Sequence, residues 1–171
     1  RYVPAEKIQV EFLNKWRNTA KYGSDVFAPD NYSFEYLFAI TMAGQPLAWF
    51  EGSGLPAQAS GIVNYIEPYR KIQHDFHCGV ILPIGDEPSG KSWTGFQSIS
   101  GDKGYLLIFR ENNPAGKIML KTWLPEGVAA RFSLITGSGS DFDCTPDHNG
   151  YIEAELTDIN SFALYRYETI K

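Results

Sequence analysis

The sequence has no apolar run long enough to cross a bilayer. Its longest, Tyr36 to Ala43, is ended by Gly44 and Pro46, well short of the roughly 20 residues a membrane helix needs. A basic surplus is also missing: 15 Lys and Arg against 20 Asp and Glu give a formal charge of -5. Nucleic acid and acidic lipid surfaces therefore find no complementary field, and neither is expected as a partner. Cysteine is scarce. Cys78 and Cys144 are far enough apart that one disulfide and two buried thiols are equally compatible with them, so the redox compartment stays open. Arg1 is not a start methionine, and no charged-then-apolar signal segment follows it, so a processed chain or an excised fragment is expected, the fragment being the favoured reading. What is present is ordinary for a folded domain: 43% hydrophobic residues in 171 are enough to bury a sizeable core.

The first half reads as helical. Pro4 suits a first helical turn, and Ile8, Phe12 and Trp16 recur every four residues beside Leu13, predicting an amphipathic helix that ends near Gly23. Asn31 or Ser33 is placed to cap a second helix running through Ala43, whose residues Phe34, Tyr36, Leu37, Phe38, Ile40 and Met42 leave little polar face. Such a helix demands cover on most sides. Pro46 to Phe50 reads as a brief buried strand. Pro56 opens a third helix that Gly79 closes and that Pro68 is expected to kink or split.

From Val80 the pattern changes to short β-forming runs separated by turn clusters. Strands are expected at Val80 to Ile84, Ser92 to Ile99, Tyr105 to Arg110, Lys117 to Leu124, Val128 to Thr136, Tyr151 to Leu156 and Phe162 to Tyr167. Connections such as Gly101-Asp102-Lys103-Gly104 and His148-Asn149-Gly150 are too short to hold a crossover helix, so neighbours should be antiparallel. The fold class that follows is α+β, with an N-terminal helical segment over residues 1–79 and an antiparallel β-sandwich over residues 80–171.

Several short patterns resemble chemistry without completing it. Gly85-Asp86-Glu87-Pro88-Ser89-Gly90-Lys91-Ser92 satisfies the phosphate-loop formula, but that loop works by opening a helix, and Trp93 to Ile99 is β-forming. A strand-to-strand turn is the simpler reading. His74, His77 and Cys78 share one helical face at chelating spacings, yet a metal site needs a further donor, so no metal and no cofactor is expected. Asp141, Asp143 and Asp147 lack the glycine and terminal glutamate of a calcium loop. Asp25, Asp30, Glu35 and Glu51 offer carboxylates, but nothing places two of them across a scissile bond, and no nucleophile elbow occurs. No catalytic residue is assigned. Among the aromatics of the β half, Trp93 and Trp123 are the candidates for stacking on sugar faces, against the commoner fate of burial.

The wording of the sequence adds a resemblance. Phe27-Ala28-Pro29-Asp30-Asn31-Tyr32, Glu35-Tyr36-Leu37-Phe38-Ala39-Ile40-Thr41, Gln45-Pro46-Leu47-Ala48-Trp49, Pro83 to Phe96 and Tyr105-Leu106-Leu107-Ile108-Phe109-Arg110-Glu111 resemble the C-terminal region of bacterial α-galactosidase-like glycoside hydrolases. That resemblance implies the end of a TIM-type catalytic barrel joined to a C-terminal β-sandwich. It makes Pro46 to Phe50 the last barrel strand and puts Trp49 or Glu51 near substrate in a full-length enzyme. The family's paired catalytic aspartates belong to earlier barrel strands, and none maps onto this chain.

Taken together, these readings describe a non-catalytic accessory region of a carbohydrate-active enzyme that stabilises the catalytic barrel, its chief partner. A periplasmic or extracellular setting suits such a parent. The alternative is a carbohydrate-binding module, and an autonomous enzyme is not expected. A barrel remnant further predicts that the second helix exposes apolar surface that this chain alone does not cover.

Overall fold

The computed structural model describes residues 3–17, 19–48 and 54–170 of the chain. Its N-terminal part is less helical than four-residue spacing implies. Pro4 opens only a 3-10 turn, Ala5–Lys7. The alternation of Ile8 and Val10 with polar residues then prevails, and Gln9–Glu11 forms strand β1. Helix α1 is a single turn, Thr19–Tyr22. A 3-10 turn at Pro29–Asn31 leads into α2, Phe34–Ala39, with Ser33 as the cap: its hydroxyl accepts a hydrogen bond from the Tyr36 amide at 3.2 Å. Strand β2, Gln45–Leu47, lies parallel to β1 with Gln9 opposite Gln45. This two-stranded ribbon is exposed to half-buried where a buried strand was expected, and it tolerates Pro46 because its outer edge needs no donor. Ala48 already lies outside the strand, and residues 49 and 50, the end of that expected strand, lie outside the described residues.

The 3-10 turn Ala57–Ile62 passes directly into α3, Val63–Cys78. Pro68 sits inside α3 without dividing it. Gly79 follows because the chain must pass hard against β4: a Cβ there would lie 2.2 Å from Ser98 Oγ.

The β half follows the predicted order. Strands β3 (Val80–Gly85), β4 (Trp93–Ser100), β5 (Lys103–Arg110), β6 (Lys117–Lys121), β7 (Ala130–Gly137), β8 (Phe142–Cys144), β9 (Tyr151–Glu155) and β10 (Ser161–Thr169) succeed one another along the chain. Six of them form one sheet in the order β3-β4-β5-β10-β7-β8, with every neighbouring pair antiparallel. Strands β6 and β9 pair antiparallel as a second, two-stranded sheet. The fold is thus α+β with an antiparallel sandwich. Strand β6 stops short of the expected Leu124 because Thr122 turns to Gly150 and the Trp123 amide donates to Gln97 Oε1 at 2.8 Å.

Alternation along β5 and β10 supplies two cores. Tyr105, Leu107, Phe109, Phe162 and Leu164 point toward the N-terminal segment and pack with Phe12, Phe34, Phe38, Met42, Tyr69 and Phe76. Leu106, Ile108, Ala163, Tyr165 and Tyr167 point the other way and pack with Leu120, Ile152 and Leu156 of the two-stranded sheet. The first core crosses the Gly79 boundary. It also corrects the expectation for the second helix: α2 ends at Ala39, and Phe34, Tyr36, Leu37, Phe38, Ala39 and Met42 are all buried within the chain itself, leaving Ile40 as the one exposed residue of those named for it. The aromatic ladder from Phe12 through Phe38 to Tyr69, and Tyr36 against Phe109, supplies the cover.

Candidate functional site

The phosphate-loop-like turn between β3 and β4 holds an anion that belongs to the protein. Glu111 is buried, and its Oε2 accepts hydrogen bonds from the Ser89 amide at 3.1 Å and the Ser92 amide at 2.6 Å. The Ser92 hydroxyl donates to Glu87 O, and the Asn113 side chain donates to Lys91 O. Amides that would cradle a phosphate are therefore already committed to a carboxylate. The strand that follows confirms the turn reading, because β4 offers no helix N-terminus. The Glu111 charge adds to burial in pushing up the phenols of Tyr32 and Tyr36.

His74, His77 and Cys78 all lie within α3, but His77 is engaged elsewhere. His77 Nε2 lies 3.0 Å from Met42 O, which only accepts, so Nε2 carries the proton. Its Nδ1 faces Gln45 Nε2 at 3.3 Å. Both nitrogens are thereby occupied, and only the exposed His74 and Cys78 remain together, 3.6 Å apart. Among the described residues no group of three or more His, Cys, Asp or Glu could hold a metal ion. Cys78 and Cys144 are both free thiols, and burial, helped by Asp143, pushes the Cys144 thiol up to about 11.

The acidic loop is a set of local braces. Asp141 accepts from the Leu134 amide at 2.7 Å, and Asp143 pairs with Arg131 at 3.0 and 3.2 Å. Asp147 accepts from the amides of Asn149 and Tyr151, both at 2.9 Å. The guanidinium holds Asp143 below the usual carboxylate value, and the two amides do the same for Asp147. Among the earlier carboxylates, Asp25 accepts from the Phe27 amide, and Asp30 and Glu35 begin helical turns.

The tryptophans separate cleanly. Trp93 is 1% exposed and donates from Nε1 to Ala115 O at 3.0 Å, so its ring faces the sandwich core and cannot meet a sugar. That candidate is corrected by burial. Trp123 is 55% exposed and fixed at two points, Nε1 to Pro83 O at 2.9 Å and its amide to Gln97. It borders a shallow depression of about 250 Å³ with Asp102, Val128 and Tyr167. Trp49 and Glu51 lie outside the described residues.

The larger concavity of the sandwich is one the sequence did not announce. A cleft of about 450 Å³ opens where the β8 edge of the large sheet stands apart from β9. Phe142 and Tyr165 border it from one side, Glu153, Glu155 and Thr157 from the other, and Ser140 from the β7–β8 loop. Phe142 sits between Asp141 and Asp143, where a lone aromatic flanked by two aspartates shows no strand periodicity.

No protein-family model matches the chain, and no curated protein matches it in sequence. Among solved structures, the chain is similar to the galactosidase domain of the alpha-galactosidase-sucrose kinase AgaSK. The TM-score is 0.58 at 16% identity, over 81% of this chain and 20% of that one. An isomaltulose synthase variant from Erwinia rhapontici NX5, in complex with its natural substrate sucrose, aligns at TM-score 0.39 and 15% identity, over 76% of this chain and 24% of that one. The second score is too low to carry an argument. The chain spans about a fifth of the AgaSK galactosidase domain, and what it shares with that fifth is the fold.

Proposed function

We propose that the chain is a non-catalytic accessory region of an α-galactosidase-like glycoside hydrolase, in which the sandwich and its N-terminal layer support a catalytic barrel. The observation that carries this reading is the fold likeness to one fifth of a galactosidase domain, spread over 81% of this chain. The site chemistry agrees. Glycoside hydrolysis needs a carboxyl kept protonated beside a second carboxylate. Asp143 and Asp147 are held low, the wrong direction for a general acid, and Glu111 is consumed by two amides. Assay of the chain on aryl α-galactosides is expected to show no turnover, and sustained turnover would overturn the reading. In the parent enzyme, deleting residues 80–170 is expected to lower the thermal midpoint of the catalytic domain. An unchanged midpoint would remove the supporting role.

Trp123 favours a second reading, carbohydrate binding. An exposed ring held by its Nε1 hydrogen bond, on a backbone pinned by a second, loses little entropy on stacking against a sugar face. Trp123→Ala should abolish retention on an insoluble polysaccharide if that reading holds.

A further inference from the structure

We propose that the free edge of β1 is the seam at which this chain joins a parallel sheet of its parent protein, a parent strand adding alongside Gln9–Glu11 in the direction of β1. The inference rests on the supporting role proposed above and deepens it by naming the atoms at the join. Hydrogen-bond alternation identifies the edge. The Gln45 amide donates to Ile8 O at 2.8 Å and the Phe12 amide to Leu47 O at 2.9 Å, with Gln9 opposite Gln45 and Glu11 opposite Leu47. A parallel ladder of this register turns the backbone groups of Ile8, Val10 and Phe12 toward β2, so those of Gln9 and Glu11 point away from it. Among the described residues the outward N–H and C=O groups of Gln9 and Glu11 meet no partner, and both residues are exposed.

The far edge of β2 is different. By the same alternation its central outward-facing residue is Pro46, which has no N–H to offer. Strand addition is thus directed to one side, with β1 presenting donors and acceptors in register and β2 a blunted edge. The β1 edge is also preformed. A Cβ at Gly44 would lie 2.7 Å from Ile8 O and 2.8 Å from Val10 Cγ2, so only glycine lets the returning chain come this close to β1. Gln45 Nε2 then ties β2 to Glu6 O at 2.9 Å. An edge held this way needs little ordering when a strand pairs with it.

The occupant follows from the kind of sheet this is. Parallel strands pair less stably than antiparallel ones and belong to larger sheets covered on both faces, and a two-stranded ribbon is marginal by itself. Here the pair is three residues long on each side and exposed to half-buried, which leaves it short of neighbours. Residues 12–44, with α1 and α2, carry the chain from β1 back to a parallel β2. That crossover is the unit from which parallel sheets are built, and a further strand of such a sheet runs the same way. The parent's own chain is the source of that strand, because the fold shared with the AgaSK galactosidase domain covers 20% of a larger chain.

The test places proline on the free edge. Glu11→Pro and, separately, Gln9→Pro each remove a donor that bonds nothing within the chain, and the ring blocks a strand from pairing there. In the chain by itself each is expected to leave the thermal midpoint where it was, and in the parent enzyme each is expected to lower it. Hydrogen exchange supplies a second readout: the Gln9 and Glu11 amides should exchange as in an unstructured peptide in the chain alone, and about tenfold or more slowly in the parent. A parent midpoint unmoved by both substitutions overturns the proposal. A loss of equal size in the chain alone does so too, since it gives those amides a partner within the chain. Self-association of the chain that Glu11→Pro abolishes, with the parent unmoved, assigns the edge to a second copy and overturns it equally. Deleting residues 80–170 tests the supporting role separately: a parent destabilised by that deletion but not by Glu11→Pro refutes the seam alone.

Discussion

Glu111 shows what a local pattern reveals and conceals. The formula from Gly85 to Ser92 is plain in the sequence, but its occupant lies 19 residues beyond Ser92 and arrives only when β5 pairs with β4. Glu111→Gln keeps the shape and replaces two charge-assisted bonds with neutral ones. It should cost about 2 kcal/mol of stability, read as a lower urea midpoint with unchanged slope. Asp147 gives a pH dependence whose sign follows from its environment. Its folded carboxyl sits below the ordinary value of 3.8, so its contribution is complete above that value and is lost as pH falls through the lower, folded one. Thermal midpoints measured from about pH 6 down to about pH 2 should therefore fall less steeply for Asp147→Ala than for the parent chain. The cleft residues escaped sequence reading for the same reason as Glu111. Phe142 and Glu155 are unremarkable alone and become neighbours only through two different sheets.

The strands were legible because β-formers alternate and turns punctuate them, so seven expected runs appear as β3 to β7, β9 and β10. Strand β8 was not, since three residues are too few to show a period. The first expected helix failed for a physical reason: the spacing of Ile8, Phe12 and Trp16 competes with the period-two placement of Ile8 and Val10, and pairing with β2 decides it. Helix α3 makes its own prediction. At Pro68 it forgoes the amide that would bond the Asn64 carbonyl, while tertiary contacts hold it in place. Ser98 Oγ donates to Phe76 O at 2.6 Å, and Tyr105 donates to Asp75 at 2.7 Å. Pro68→Ala should raise stability by about 1–2 kcal/mol, less than the full helix-interior penalty because proline also restricts the unfolded chain. Calorimetry checks the direction.

At the scale of the molecule, the change of grammar near Gly79 was visible in the sequence, but the continuity of packing across it was not. Alternation along β5 shows that one face needs cover without saying what provides it. The cover is the N-terminal segment: Phe12, Phe34, Phe38 and Phe76 close the face formed by Leu107, Phe109, Phe162 and Leu164. A chain of residues 80–170 alone would expose that face, and it is expected to aggregate or bind a hydrophobic dye more than the whole chain under the same conditions. A monomeric fragment with a sharp thermal transition would show the sandwich to be self-sufficient. The central position of β5 has a consequence of a different kind. Every residue from Gly104 to Arg110 is buried, with a partner strand on each side and a layer of side chains on each face. No local opening frees its amides, so their exchange with deuterium waits for the entire molecule to unfold. The protection of Leu106, Leu107 and Ile108 therefore reads out the global free energy of unfolding in native buffer, without denaturant.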